Sequence, residues 1–365
     1  MSATSGKISF LQVSMMLLLM NGLTNHVIVN PMLLDAAGRD SWLSVLGTGI
    51  LFIGWCLLLL LFMKRSGQQK LQPWLAERTH PIISWILTIP LCIQLLMIGG
   101  MTVSYTAAWT ASNYLPNTPK FVLSLTLALL CALFATWGIH VIAIASGLLL
   151  PIVMILGIFA SVSNAPEKNF SLLKPIVEHG WNPVYEGMIY AGGGFIELVV
   201  LIAMQHHLNT KVRPWSLLIY AAISIYIMLG PLVAAIAEFG PFEAAKQMVS
   251  PYEQWRLVKL GTYVEHVDFF SIFQWLSGAC IRISLSIFIA IDLLPKRITQ
   301  HRKLFVWIIA GIYVLLSMIP INEYSFYTWM YRYYFPITLT VALSVSLVWI
   351  LISYLAKRPE EASHD

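Results

Sequence analysis

Three consecutive glycines and a nearby carboxylate interrupt an apolar stretch that is long enough to span a bilayer. Gly192, Gly193 and Gly194 are followed by Glu197 inside the segment 183–204. Each glycine costs about 1 kcal/mol in a helix relative to alanine, and an unpartnered acid near the bilayer centre costs about 3 kcal/mol or more. Because these residues weaken a plain membrane helix, we interpret them as part of a binding site. An interrupted helix there would expose N–H and C=O groups to a small charged ligand.

A second buried charge is predicted at Arg282, near the middle of the apolar segment 269–294. Its depth requires a charged partner, carbonyl groups or water, and Ser286 shares its helix face four residues later. Glu197 is open to two interpretations. In the functional one, it contacts a ligand amine or orients the broken helix. In the structural one, it is a hydrogen-bonded carboxylate that only fixes helix packing. A pair between Glu197 and Arg282 fits either one. Gln94 is equally open, as an interhelical hydrogen bond or as a pocket residue.

Composition places these residues in a helical membrane protein. The chain has 365 residues, of which 58% are hydrophobic and 11% are charged, and its mean hydropathy is +0.75. Such values are typical of polytopic helical membrane proteins. Apolar windows predict ten spans: 8–30, 42–63, 82–109, 121–137, 141–162, 183–204, 215–237, 269–294, 304–320 and 334–355. The remaining loops and tails are short, so we predict one integral membrane domain over residues 1–365.

The first and sixth spans share an interruption. Gly22, Thr24 and Asn25 interrupt the first span, five spans before the three glycines. An odd five-span unit must be inverted when it is duplicated, which predicts two inverted repeats at about 8–162 and 183–355. Coincidence is the alternative, because glycine is common in membrane helices. On the repeat interpretation, both spans are unwound at these positions and face each other near the membrane centre.

The charges predict orientation and exclude several function classes. With ten spans, thirteen lysines and arginines fall on inner segments and eight on outer segments, which places both termini in the cytoplasm. The net charge of +5 forms no basic stripe that would indicate nucleic acid. The sequence has no P-loop, HExxH, GxSxG or dinucleotide-binding glycine motif, so we predict neither an enzyme nor a cofactor. A membrane acyltransferase with an embedded histidine is the remaining enzymatic alternative.

Clustered histidines and acids are interpreted conservatively. His206 and His207 are adjacent, so on an α-helix their side chains point about 100° apart and chelate one metal ion poorly. We interpret them as a solvated interfacial face. Glu265, His266 and Asp268 are interpreted as solvated charges of an outer loop, and no metal site is predicted.

A short helix is predicted in the outer loop before the eighth span. Ser250 as the N-cap, Pro251 at the first helical position and Glu253 three residues after the serine form a capping-box signature. The helix is predicted to extend to about Leu260. Three placements remain open: over the outer vestibule as a lid, against a partner subunit, or packed over the helix ends.

The chain also carries short motifs whose order and spacing are more specific than any one alone. Those before the seventh span are Pro31, Pro175-Ile176-Val177 with Gly180, and Phe195 to Glu197. Those after it are Ser250-Pro251-Tyr252-Glu253, Arg256-Leu257-Val258, Tyr263-Val264-Glu265-His266-Val267-Asp268, Trp275 and Ile281-Arg282-Ile283-Ser284. Together they resemble the B subunits of GerA-type endospore germinant receptors, in the amino acid-polyamine-organocation superfamily, over essentially the whole chain.

The resemblance implies a LeuT-like ten-helix fold in the spore inner membrane. It further implies that the protein senses an amino acid or similar nutrient, acts beside A and C subunits, and triggers germination. The ligand is then expected between the first, third, sixth and eighth spans, with Arg282 facing a ligand carboxylate. The expected site residues are Gly22, Thr24, Asn25, Gln94, Gly192, Gly193, Gly194, Glu197, Arg282 and Ser286. An active amino-acid transporter is the alternative, because it needs the same substrate cradle.

Overall fold

The computed structural model describes residues 7–259 and 267–355. Several predicted features lie outside these residues: the end of the outer-loop helix at Leu260, the motif residues 263–266 including Glu265 and His266, and the basic pair Lys357 and Arg358.

The described chain folds into helices joined by turns. The first part contains α1 (Phe10–Leu23), α2 (Val29–Ala37), α3 (Ser41–Arg65), α4 (Leu71–Arg78), α5 (Pro81–Asn113), α6 (Lys120–Trp137) and α7 (Ile139–Ser163). The second part contains α8 (Asn182–Phe195), α9 (Val200–Met204), α10 (Pro214–Phe239), α11 (Pro241–Lys246), α12 (Ser250–Leu257), α13 (Phe269–Asp292), α14 (Lys296–Thr299), α15 (Arg302–Ser317), α16 (Glu323–Trp329) and α17 (Phe335–Leu355).

Within the described residues, eight continuous helical stretches are long and apolar enough to cross a membrane. The protein is therefore an all-α polytopic membrane protein, as the composition predicts. The ten predicted spans map onto these stretches with two differences. The stretch Phe10–Arg65 has 56 residues and contains two predicted spans, while α15 has 16 residues and is short for a bilayer.

The longest stretch reverses direction at its middle. Ile8 and Ser66, which flank it, both hydrogen-bond to the segment 205–208. Asp40, at its middle, instead accepts the backbone N–H groups of residues 177–178 at 2.9 and 3.1 Å. The two ends of this stretch thus lie at one end of the bundle and its middle lies at the other. We call these ends the Ile8 face and the Asp40 face.

Both interrupted spans stay helical, with one irregular turn at the first predicted break and another that begins two residues after the glycine run. A π-helical turn, Thr24–Ile28, joins α1 to α2, and a 3₁₀ turn, Ile196–Val199, joins α8 to α9. The prediction that both spans unwind is therefore wrong. Unpaired backbone groups cost several kcal/mol each in hydrocarbon, and an irregular turn keeps them hydrogen-bonded. The two turns do face each other, since Thr24 Oγ1 lies 3.2 Å from a carboxylate oxygen of Glu197.

The three glycines lie inside α8 and permit close packing. A Cβ atom on Gly193 would lie 2.6 Å from Phe335 Cδ1, and one on Gly194 would lie 2.5 Å from Asn25 Oδ1. Gly192 is slightly less tight, at 3.1 Å from the Leu339 side chain. Small residues of this kind let membrane helices approach each other closely. The glycine run therefore seats α8 against the π turn and α17.

Candidate functional site

A buried ion pair forms the centre of the bundle. The Arg282 guanidinium donates to both carboxylate oxygens of Glu197, at 2.6 and 2.7 Å, and the two side chains are 4% and 1% exposed. Glu197 lies on the 3₁₀ turn and Arg282 lies near the middle of α13. In a low-dielectric site, either charge alone would cost several kcal/mol, so each depends on the other. The two parallel hydrogen bonds also fix the orientation of the pair.

The remaining polar contacts of the pair connect it to two other helices. Arg282 donates through Nε to Thr102 Oγ1 of α5 at 3.0 Å and through Nη1 to the Met20 carbonyl of α1 at 2.8 Å. Thr24 donates to Glu197 from the π turn. In a regular α-helix the Thr24 amide would donate to the Met20 carbonyl, four residues back, but here it donates to the Asn21 carbonyl. The Met20 carbonyl instead accepts a hydrogen bond from Arg282. We call Thr24, Thr102, Glu197 and Arg282 the central cluster.

Two predicted residues lie away from the central cluster. Gln94 is on α5 eight residues before Thr102, which corresponds to about 12 Å along a helix, and its Nε2 atom is buried without a hydrogen-bond partner. Ser286 donates to the Ile283 carbonyl and packs against Gly99 of α5. Of the predicted set, the structure therefore brings together residues of α1, the π turn, α8, the 3₁₀ turn and the middle of α13, and leaves Gln94 and Ser286 nearer the Ile8 face.

A cavity lies on the other side of α1 from the central cluster. Its volume is ≈ 170 Å³, and it is bounded by α1, α7, α10 and α13, with α12 and the end of α5 at its Asp40 side. Among the predicted site residues only Gly22 lines it, together with Leu23 at the end of α1 and His26 of the π turn. A second cavity, beside Arg282, has a volume of ≈ 10 Å³ and is about large enough for one water molecule.

Aromatic side chains form the Asp40 end of the large cavity. Trp109 and Trp275 stack with ring centroids 4.1 Å apart and planes 5° apart, and Tyr252 meets Trp109 edge to face at 5.4 Å. Burial and the nearby charge of Asp268 raise the pKa of Tyr252, so its phenol stays protonated and neutral. The aromatic rings suit the apolar part of a small ligand, and the carboxyl group of Glu238 at the end of α10 also lines the cavity.

Amide side chains supply the polar part of the same wall. Gln254 donates to the Pro231 carbonyl at 3.0 Å, and Gln274 donates to the Val153 carbonyl at 2.9 Å. The Gln274 oxygen also accepts the indole N–H of Trp255 at 2.7 Å. These bonds tie α12 to α7, α10 and α13 and give the wall a fixed shape.

The predicted outer-loop helix is present as α12, and it covers the cavity. Its start differs by one residue, because Val249 is the N-cap and Ser250 begins the helix. Glu253 bonds to Arg256 at 2.9 Å, and the Ser250 hydroxyl is buried without a partner, so the predicted capping box does not form. The lid placement stays a prediction, because α12 both lines the cavity and packs against the ends of α7 and α13. No sequence pattern marks the apolar walls, because their residues are spread over α1, α5, α7, α10, α12 and α13.

Comparison with known proteins agrees with these features. Residues 7–325 match the family model for spore germination protein, named Spore_permease. The chain is also 38% identical over 355 residues to spore germination protein XB of Bacillus anthracis, an alignment that covers 97% of this chain and all of that protein. The sequence resemblance to germination receptor proteins is therefore confirmed. The chain belongs to the spore germination permease family and is a germination-related receptor subunit.

Proposed function

We propose that this subunit binds a small nutrient germinant in the cavity beside α1 and transmits its binding to the central cluster. The observation that carries the proposal is the position of the π turn between the two sites. Gly22 lines the cavity, and Thr24 contacts Glu197. Residues two apart on a helix point in roughly opposite directions, about 200° apart, so one turn of chain forms a wall of both sites.

The physical basis for transmission is the unequal packing on the two sides of that turn. On the cluster side, movement of Thr24 or Met20 removes a hydrogen bond from a buried ion pair. On the cavity side, a Cβ atom on Gly22 would meet nothing within 4 Å, so a ligand has room to press against the turn. A ligand that favours a shifted π turn would thereby shift the population of the cluster's arrangement.

The ten-span inverted repeat is part of the proposal. The central cluster pairs the irregular turn of the first predicted span with that of the sixth. At the Asp40 face, α5 contacts α16 through Ser112 and Glu323, while at the Ile8 face α15 begins where Arg302 donates to the Phe288 carbonyl near the end of α13. These contacts fit a path in which α15 also crosses the bundle and forms the ninth of the ten predicted spans.

The placement in the cell is part of the proposal. The excess of lysine and arginine on the Ile8 face favours a cytoplasmic position for that face and for both termini. The family assignment supports a position in the spore inner membrane beside A-type and C-type subunits. The cavity's aromatic end and fixed amide groups suit an amino acid or a molecule of similar size, and no enzymatic role is proposed.

Substitution of Gly22 tests the cavity directly. Gly22→Leu places a side chain into the cavity, and we expect it to raise the nutrient concentration needed for half-maximal germination by about 10-fold or more, equivalent to about 1.4 kcal/mol. Gly54→Leu is the matched control, because a Cβ atom on Gly54 also meets nothing within 4 Å and Gly54 is an exposed residue of α3. Equal nutrient sensitivity of the two variants, at equal abundance in spore membranes, would refute the cavity as the ligand site.

Deletion of the gene separates the receptor from the transporter alternative. If the chain is a receptor subunit, we expect spores that lack it to germinate more slowly toward a particular nutrient, while vegetative growth is unchanged. If spores lacking this chain germinate normally while vegetative cells lose amino-acid uptake, the transporter replaces the receptor.

A further inference from the structure

A cluster of potential metal ligands lies at the Ile8 face, outside the central cluster and the cavity. The Nε2 atoms of His206 and His207 lie 2.9 and 3.3 Å from the same oxygen, Oδ2 of Asp292. One ligand atom from each of the three residues falls within 4.8 Å of the other two. The side chains are 19%, 11% and 14% exposed, so they are partly desolvated but still reachable from solvent.

The local backbone explains why two adjacent histidines converge. The prediction that they form a solvated face assumed a continuing α-helix. Instead, α9 ends at Met204, a 3₁₀ turn covers Gln205–His207, and Leu208 forms an isolated bridge with Ile8. The chain thus changes from helical to extended at this point, and the two imidazole rings come to lie with centroids 4.1 Å apart.

We propose that His206, His207 and Asp292 bind a divalent transition-metal ion of the zinc class. Zinc binds imidazole nitrogen and carboxylate oxygen at about 2.0–2.2 Å, which places tetrahedral ligand atoms about 3.3 Å apart. The His207 nitrogen lies at that separation from Oδ2, 3.3 Å, and the His206 nitrogen, hydrogen-bonded at 2.9 Å, would have to move outward by about 0.4 Å. Three protein ligands leave the fourth position for water.

The carboxylate has one oxygen free of histidine contacts. Lys70 Nζ lies 3.7 Å from this oxygen, Asp292 Oδ1, which is an ion-pair distance and longer than a hydrogen bond. The positive charge of Lys70 opposes a cation at this position, so the direct bonds from the three ligands must outweigh it. Metal binding would replace the hydrogen bonds between the histidines and Oδ2 with bonds to the ion.

The site would form a second link between the two segments that hold the central ion pair. Glu197 and His206 belong to the same helical stretch, and Arg282 and Asp292 both belong to α13. A metal ion at the Ile8 face would therefore fix the relative position of these segments at a point away from the nutrient cavity. This inference is independent of the proposed nutrient site.

Zinc titration of the full-length chain in lipid nanodiscs tests the proposal. After removal of metal with EDTA, ZnCl2 should bind with saturable stoichiometry of one ion per chain and raise the Tm. MgCl2 should not, because magnesium prefers oxygen ligands. Asp292→Asn and His206→Ala should each weaken zinc affinity by at least about 10-fold. His301→Ala, at an exposed histidine near the same face, should leave it unchanged.

Cobalt absorption keeps the test informative if the variants fail to accumulate. Wild-type chain loaded with CoCl2 should show the intense visible bands of a tetrahedral centre, and ZnCl2 should abolish them. The proposal is overturned if wild-type chain takes up no stoichiometric zinc or shows no tetrahedral cobalt spectrum. It is equally overturned if Asp292→Asn retains wild-type affinity.

Discussion

The two sides of the π turn are built in opposite ways. On one side, Thr24, Glu197 and Arg282 join three segments through short hydrogen bonds around a fully buried ion pair. On the other side, Gly22 and His26 face a cavity of ≈ 170 Å³ with an aromatic end. The same few residues of chain therefore separate a tightly packed charged site from an open one.

This difference indicates how a membrane receptor can respond to a small molecule. A buried ion pair is not by itself a strong source of stability, but its two charges are costly to separate, so it favours one arrangement of the helices. A cavity tolerates different occupants at little cost. Because the two sites share a wall, occupancy of the cavity can be coupled to the geometry of the pair.

Removal of one charge should have the largest effect on the packed side. Glu197→Gln leaves the Arg282 guanidinium buried without a counter-charge, and we expect a loss of about 3–5 kcal/mol in the free energy of unfolding. Thermal unfolding of the purified chain measures this. The double variant Glu197→Gln, Arg282→Met removes the uncompensated charge and should be more stable than Glu197→Gln alone.

An exposed ion pair provides the matched control. Glu253 and Arg256 lie 2.9 Å apart on α12, with side chains 32% and 59% exposed. Glu253→Gln should cost less than about 1 kcal/mol, because water screens and replaces the interaction. Comparable losses in Glu253→Gln and Glu197→Gln would mean that the central cluster is not the dry, charge-coupled site described above.

Paired glycine substitutions compare the two sides with the same chemical change. A Cβ atom on Gly193 would lie 2.6 Å from Phe335, so Gly193→Ala should destabilise the protein by about 1–3 kcal/mol through overpacking. Gly22→Ala meets open space and should be neutral or stabilising by up to about 1 kcal/mol, because alanine favours helix. Differential scanning calorimetry of both variants gives the contrast, and a reversed order of stability would contradict the packing difference.

The two charged residues of the central cluster were predictable from the sequence, because a charge inside an apolar span is costly and needs a partner. Glu197 and Arg282 stand out because each lies inside a long apolar segment and needs a partner. Their mutual pairing was one of the options left open. The glycines were misinterpreted for a physical reason: a glycine in a membrane helix permits both a break and a close approach, and only the positions of Asn25 and Phe335 decide between them.

The cavity and the histidine cluster were not predictable, because their residues are distant in the chain. Trp109, Gly230 and Trp275 look like ordinary apolar span residues, and only the packing of α5, α10 and α13 around α1 leaves space beside them. His206 lies 86 residues from Asp292, and its orientation depends on where α9 ends. Period and composition specify which segments are helical, but not where neighbouring helices leave a gap.

Removal of the Tyr252 ring from the aromatic end of the cavity should have a smaller effect on stability. Tyr252→Ala removes an edge contact with Trp109 and a second ring contact with Tyr114. Each aromatic pair contributes about 0.5–1.5 kcal/mol, so the free energy of unfolding should fall by at most about 3 kcal/mol. Nutrient sensitivity should also fall, because the cavity loses part of its wall. Phe242→Ala, at an exposed ring outside the cavity, is the control for germination assays. If both variants respond to nutrient equally, α12 is a packing element and not a lid.

Protection of a cysteine placed in the cavity tests the central claim most directly. The native cysteines are all buried, so the unmodified chain should give a low background with a thiol reagent. We expect Gly22→Cys in membranes to be labelled, and labelling to slow at least several-fold in the presence of the nutrient to which the wild-type spores respond. Phe242→Cys, at an exposed position of α11 outside the cavity, should be labelled at the same rate with and without that nutrient. If the nutrient leaves the labelling rate of Gly22→Cys unchanged while spores carrying it still germinate, the nutrient does not bind beside the π turn.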